Sequence, residues 1–146
     1  MLMFRCLKFI LIFIVLTSLN GCFEKKDQGP TAKDYYNKAY HFIDAGFPQE
    51  AINLYTLAIE KDPEFIDAYY NRGVVHFTLR EYNKALSDFN RVIEKRPDMA
   101  MAYASRGSTF EKLGDYYNAL KDYKKAAQLG DKDTQKYLKS KNIRWD

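Results

Sequence analysis

Residues of the types that do covalent or metal chemistry are few in this chain of 146 residues. The cysteines are Cys6 and Cys22 and the histidines His41 and His76. A metal site needs several such ligands at short, regular spacing, and neither histidine has a second His or Cys so placed. The sequence holds no glycine-rich phosphate loop, no Gly-x-Ser-x-Gly elbow and no HExxH. Its acids are scattered in the manner of solvated helix faces, and His76 falls where an internal repeat puts a tyrosine-like core residue. Neither a catalytic constellation nor a cofactor site emerges. Cys22 stands apart, because it closes an apolar run and is followed at once by charged residues.

The elements around Cys22 define its chemistry. Arg5 and Lys8 precede the apolar residues 9–16, FILIFIVL, and then comes TSLNGC. A positive start and a short apolar stretch are the layout of a secretory signal. Residues 9–19 are 11 in number, about half the roughly 20 that a membrane-spanning helix needs. The Glu24-Lys25-Lys26-Asp27 run prevents extension. Cleavage after Gly21 by an ordinary signal peptidase fits poorly, since Leu19 would stand where a small residue is preferred. Leu19-Asn20-Gly21-Cys22 instead resembles the lipobox of bacterial lipoproteins, with Asn20 a less usual second residue. The resemblance implies a cleaved signal peptide at 1–21, lipidation of Cys22, and a linker through residue 31. Two or more acyl chains give stable membrane anchoring. Phe23 in place of Asp after the cysteine resembles the family's signal for export to the outer membrane.

Taking residues 1–21 from 146 leaves 125, enough for one small domain. The formal charge falls from +4 to +2 as Arg5 and Lys8 leave, a balance that gives no support for nucleic-acid binding. Cys6 leaves too, so Cys22 has no partner for a disulfide.

From residue 32 onward three segments align without a gap at a spacing of 34 residues. Tyr35, Tyr69 and Tyr103 coincide, as do Ala39, Gly73 and Gly107, then Ala51, Ala85 and Ala119, then Tyr55, Phe89 and Tyr123. Each unit reads as two amphipathic helices, expected at 32–45 and 48–61, 66–79 and 82–95, 100–113 and 116–129. Small residues at the Ala39 and Ala51 positions allow close helix contact. Pro48 suits a first helical turn, and Pro63 and Pro97 separate the units. Residues 133–146 supply a capping helix, with Tyr137, Leu138 and Ile143 packing inward, Asp131 or Asp133 as its N-cap, and Trp145 packed nearby.

The period and the aligned aromatic, small and proline positions resemble the tetratricopeptide repeat. Tyr stands for the family's Trp, and Lys38, Arg72 and Arg106 stand where Leu is common. The resemblance implies an all-α, right-handed solenoid of three helix-turn-helix units at 32–65, 66–99 and 100–132. It also implies a concave groove lined by the first helix of each unit. The groove residues so implied are Tyr36, Tyr40, Tyr70, Asn71, Val74, Phe77, Met101, Ala104 and Ser108, flanked by Ile43, Glu111, Lys33 and Asp67. The groove is therefore expected to be aromatic toward the first two units and more polar toward the third. Some family members grip a peptide C-terminus with a carboxylate clamp. The clamp needs lysine, asparagine, asparagine, lysine and arginine where this chain has Tyr36, Tyr40, Asn71, Met101 and Ser105, so only Asn71 fits. The expected function is that of a non-enzymatic, lipid-anchored adaptor for peptide segments of cell-envelope proteins, at the outer membrane facing the periplasm. A pilotin-like assembly factor and a self-associating, homodimeric lipoprotein are the alternatives.

Overall fold

A computed structural model describes residues 29–146. The expected signal segment and Cys22 lie outside the described residues. Among the described residues seven helices follow in order: α1 (Ala32–Asp44), α2 (Pro48–Lys61), α3 (Ile66–Thr78), α4 (Tyr82–Lys95), α5 (Ala100–Lys112), α6 (Tyr116–Gln128) and α7 (Lys132–Ser140). The first six are the expected pairs. Helices α1, α3, α5 and α6 stop one residue short of expectation, because Ala45, Leu79, Leu113 and Leu129 serve as their C-caps. No helix among the described residues is long and apolar enough to cross a membrane.

The same device ends five of the helices. Gly46, Arg80, Gly114, Gly130 and Asn142 all take positive φ. The next residue's N–H then turns back to a carbonyl of the last turn: Phe47 to Phe42 at 2.8 Å, Glu81 to His76 at 2.8 Å, Asp115 to Phe110 at 2.9 Å, Asp131 to Ala126 and Ile143 to Leu138 at 3.0 Å. These are Schellman ends, which satisfy carbonyls the helix leaves open and favour glycine at the left-handed position. Gly46, Arg80 and Gly114 are spaced by the repeat, so Arg80 holds a glycine's place. Starts are fixed by Thr31 and Asp34 in a reciprocal capping box, by Pro48 in the first turn of α2, and by Asp115 and Asp131 side chains accepting from Asn118 and Thr134.

Each helix packs on its neighbour in sequence, and α3 also meets α5, so the first helices of the units form one layer and the second helices another. The small residues sit at the crossings: Ala39, Ala51, Ala58, Ala68, Ala85 and Ala102 are fully buried. A Cβ added at Gly73 would lie 2.9 Å from Phe89 Cε1 and 3.1 Å from Asp88 Cβ. At Gly107 it would lie 3.0 Å from Tyr123 Cδ1. The aromatic rings at Tyr55, Phe89 and Tyr123 are buried against these crossings.

Contrary to the solvated arrangement expected from the sequence, two of the acids are not on the surface. Asp88 and Asp122 are buried. Arg72 donates to Asp88 from Nε at 2.9 Å and Nη2 at 2.7 Å, and Arg106 to Asp122 at 2.7 and 2.8 Å. The third guanidinium nitrogen of each crosses to the preceding unit, Arg72 to Thr56 at 3.0 Å and Arg106 to Asn90 at 2.7 Å. The two arginines that depart from the family's leucine are therefore inter-repeat ties. In the first unit the corresponding pair is Lys38 and Leu54, one exposed and one half-buried.

The cap departs from a helix over 133–146. Helix α7 begins at Lys132 because Asp131 caps it, and Asn142, at φ 56, ends it. The last residues fold back instead. Leu138 is fully buried beside Ala119, Tyr123 and Ala127, with Ile143 and Trp145 against the same cluster. Gln128 Nε2 donates to the Trp145 carbonyl at 2.6 Å.

Candidate functional site

The groove residues implied by the sequence fall into two groups. Tyr36 and Tyr70 are half-buried mortar between units. The Tyr36 ring lies 5.6 Å from Tyr55 and 4.9 Å from Phe65, centroid to centroid, and its hydroxyl accepts from Asn71 Nδ2 at 2.7 Å. One repeat on, the Tyr70 ring lies 5.9 Å from Phe89, with its hydroxyl 3.3 Å from Ser105 Oγ. Burial, and then the Asp67 charge, push the Tyr36 hydroxyl above its ordinary pKa. These side chains, with Asn71, are engaged in joining one unit to the next.

The second group is open. Tyr40 and Met101 are 56% and 52% exposed and Val74 38%. Val74, Phe77 and Ser108 are brought together with Phe89 and Ser105 around a cavity of about 150 Å³. The third unit has Ala104 where the first two have tyrosine, so no ring fills the space toward α7. A second cavity, about 330 Å³, opens there between Ala104, Ser105, Ser108, Tyr123, Tyr137 and Asp133. The two adjoin through Ser105 and Ser108. Tyr40 and Met101 line neither.

A third cavity, about 200 Å³, adjoins the second through Tyr123 and Tyr137 and adds Glu111, Tyr116, Leu120 and Ile143. The Tyr123 hydroxyl donates to Glu111 Oε2 at 2.6 Å and lies 3.2 Å from Ser108 Oγ. Tyr123 and Tyr137 meet edge to face at 5.2 Å. Burial first, then the Glu111 carboxylate, raise the pKa of both phenols.

Tyr116, Tyr123 and Tyr137 were not among the groove residues read from the sequence. Tyr123 aligns with core rings, Tyr116 opens a second helix, and Tyr137 belongs to the cap, outside the repeat. His76 is the packed histidine expected: it is 6% exposed, with Nδ1 2.6 Å from Glu81 Oε2. Lys84 and then His76 hold the Glu81 carboxyl below its usual range. No group of three or more His, Cys, Asp or Glu among the described residues could hold a metal ion.

Paired helices stacked in two layers, with a cleft on the layer of first helices, define an all-α repeat solenoid. The chain belongs to the tetratricopeptide-repeat family. Models described as tetratricopeptide repeat match residues 66–99 and 100–133, and a TPR-repeat model matches 42–79. Among solved structures, the chain is similar to MamA at 30% identity and a TM-score of 0.67, over 72% of this chain. It spans 61% of the MamA chain. The first TPR of Spaghetti (RPAP3), solved bound to the HSP90 peptide SRMEEVD, matches at 26% identity and a TM-score of 0.71, over 75% of this chain and 89% of that one. YrrB, described as a TPR protein with an unusual peptide-binding site, shares the fold at 21% identity and a TM-score of 0.71, over 77% and 59% of the two chains. No curated protein sequence matches the chain.

Proposed function

We propose that this protein is a non-enzymatic adaptor, anchored by lipid at Cys22, that holds a peptide segment of a cell-envelope protein in its groove. The observation that carries the reading is the pair of adjoining cavities on the first-helix face. The apolar one, at Val74, Phe77 and Phe89, takes a side chain, and the hydroxyls of Ser105 and Ser108 beside it offer hydrogen bonds to a backbone. Peptide pockets are commonly apolar with a few placed polar groups. The peptide-bound RPAP3 domain supports the reading by likeness of fold. The carboxylate clamp is not part of it, since Tyr36 and Asn71 are spent on each other.

The anchor and the envelope setting rest on Leu19-Asn20-Gly21-Cys22 and the short apolar run before it. Phe23 favours the outer membrane, the domain then facing the periplasm.

The test is crosslinked capture from membranes with the wild-type chain and with Val74→Arg/Ser108→Arg, after circular dichroism shows that the variant folds. Loss of a specific partner supports the groove, and equal capture of the same partners contradicts it. Cys22→Ser should move the protein from the membrane to the soluble fraction. A variant still firmly bound contradicts the lipid anchor.

A further inference from the structure

The third cavity has a chemistry of its own. Glu111 stands on α5 among tyrosines from α6 and α7, and neither this cavity nor the second is lined by lysine or arginine. A carboxylate offers about four lone-pair sites, so the bond from Tyr123 leaves Glu111 able to accept further donors. The faces of tyrosine rings attract cations within about 6 Å of the centroid. Lys141 Nζ already lies 6.0 Å from the Tyr137 centroid. Asp133, in the second cavity, adds a second acid along the same path. Its contact with Lys136 spans 3.4 Å between side chains that are 79% and 95% exposed, and such a surface pair holds its partners weakly. An anionic side chain would meet carboxylates and the negative faces of rings, whereas a lysine or arginine would meet both as attraction. Arginine fits best, since its planar fork can pair with a carboxylate while stacking on a ring.

We propose that the groove selects a partner segment in which an apolar residue is followed or preceded by a lysine or arginine. The apolar side chain enters the Val74–Phe77–Phe89 cavity, and the cation enters the pocket formed by Glu111, Tyr116, Tyr123 and Tyr137. This rests on the groove reading above and adds the chemistry of the partner. It calls for a net-basic segment, whereas SRMEEVD, held by the RPAP3 domain, has one arginine among three acids.

The experiment is fluorescence anisotropy of the full chain with a peptide array. Each peptide carries one leucine or phenylalanine and, at varied spacing, either lysine, arginine, glutamate or aspartate. Basic peptides at one spacing should bind about tenfold or more tightly than their acidic counterparts, the effect of one charge-assisted hydrogen bond. Glu111→Gln should remove most of that preference. Tyr116→Ala, at a residue 69% exposed, should weaken the basic peptides more than the acidic ones. Equal binding of basic and acidic peptides, or a preference for the acidic ones, overturns the cation pocket and leaves the groove standing. Binding of none of the peptides overturns both.

Discussion

Replacing Asp88 by leucine should cost this protein much of its stability, although leucine is what the first unit carries at that position. Asp88 is 4% exposed and accepts two hydrogen bonds from Arg72, whose side chain is 18% exposed. Removing the acid leaves a guanidinium confined between units with only Thr56 to accept from it. Breaking a buried ion pair from one side costs about 3 kcal/mol or more. At roughly 4 °C per kcal/mol for a domain of this size, the midpoint of thermal unfolding falls by about 12 °C. Replacing both partners is different, because a lysine can carry its charge out to water on a flexible stem, as the exposed Lys38 does. Arg72→Lys/Asp88→Leu recreates the Lys38 and Leu54 pair and should return to within about 1 kcal/mol of wild type. Circular-dichroism melts of the two single variants and the double variant complete the cycle. Were Asp88→Leu within about 1 kcal/mol of wild type, or the double variant no better than the single, the tie would not be what joins the units.

Three other substitutions probe separate parts of the fold. Gly73→Ala gains about 1 kcal/mol of helix propensity but drives a methyl to 2.9 Å from Phe89, an overpacking that costs about 1–3 kcal/mol. Its melting midpoint should fall, and a rise would mean that the crossing has room. Arg80→Gly frees a side chain from a left-handed conformation at φ 61 and should stabilise by about 1 kcal/mol, as chemical denaturation would show; a loss would contradict the Schellman assignment. Burial pushes the Tyr55 hydroxyl up to about 12 from its ordinary 10.0. Because the folded value is the higher one, its stabilising contribution is whole below pH 10 and is lost as pH rises toward 12. Denaturant melts across that window should show the decline, and Tyr55→Phe should lessen it.

The repeat made the helix pairs legible because buried positions recur at one period: small residues where axes cross, rings beside them, proline between units. What lay outside that logic was hidden. Arg72 and Asp88 are on different helices, and nothing local marks the acid as buried, so both looked like departures or solvent-facing charge. The repeat places the turn at Arg80, but not its positive φ, because the glycine that advertises it at Gly46 and Gly114 is absent. The groove positions were legible as a face of the first helices. Which of them are open was not, since that depends on partners such as Asn71 and Ser105 engaging the tyrosine hydroxyls. The third cavity needs Tyr137 and Ile143 from the cap, whose placement follows from Asp131 and Asn142 rather than from any repeat.

The most direct measurement places a photocrosslinking residue in turn at Tyr40, Val74 and Met101 on the groove face, and at Asn83 and Lys125 on the second helices. Crosslinks are then made in intact cells and mapped by mass spectrometry. A groove that holds a peptide yields crosslinks from the first three positions to one continuous segment of a single partner, with the last two silent. Crosslinks confined to Asn83 and Lys125 would put recognition on the other face and contradict the groove as the working surface.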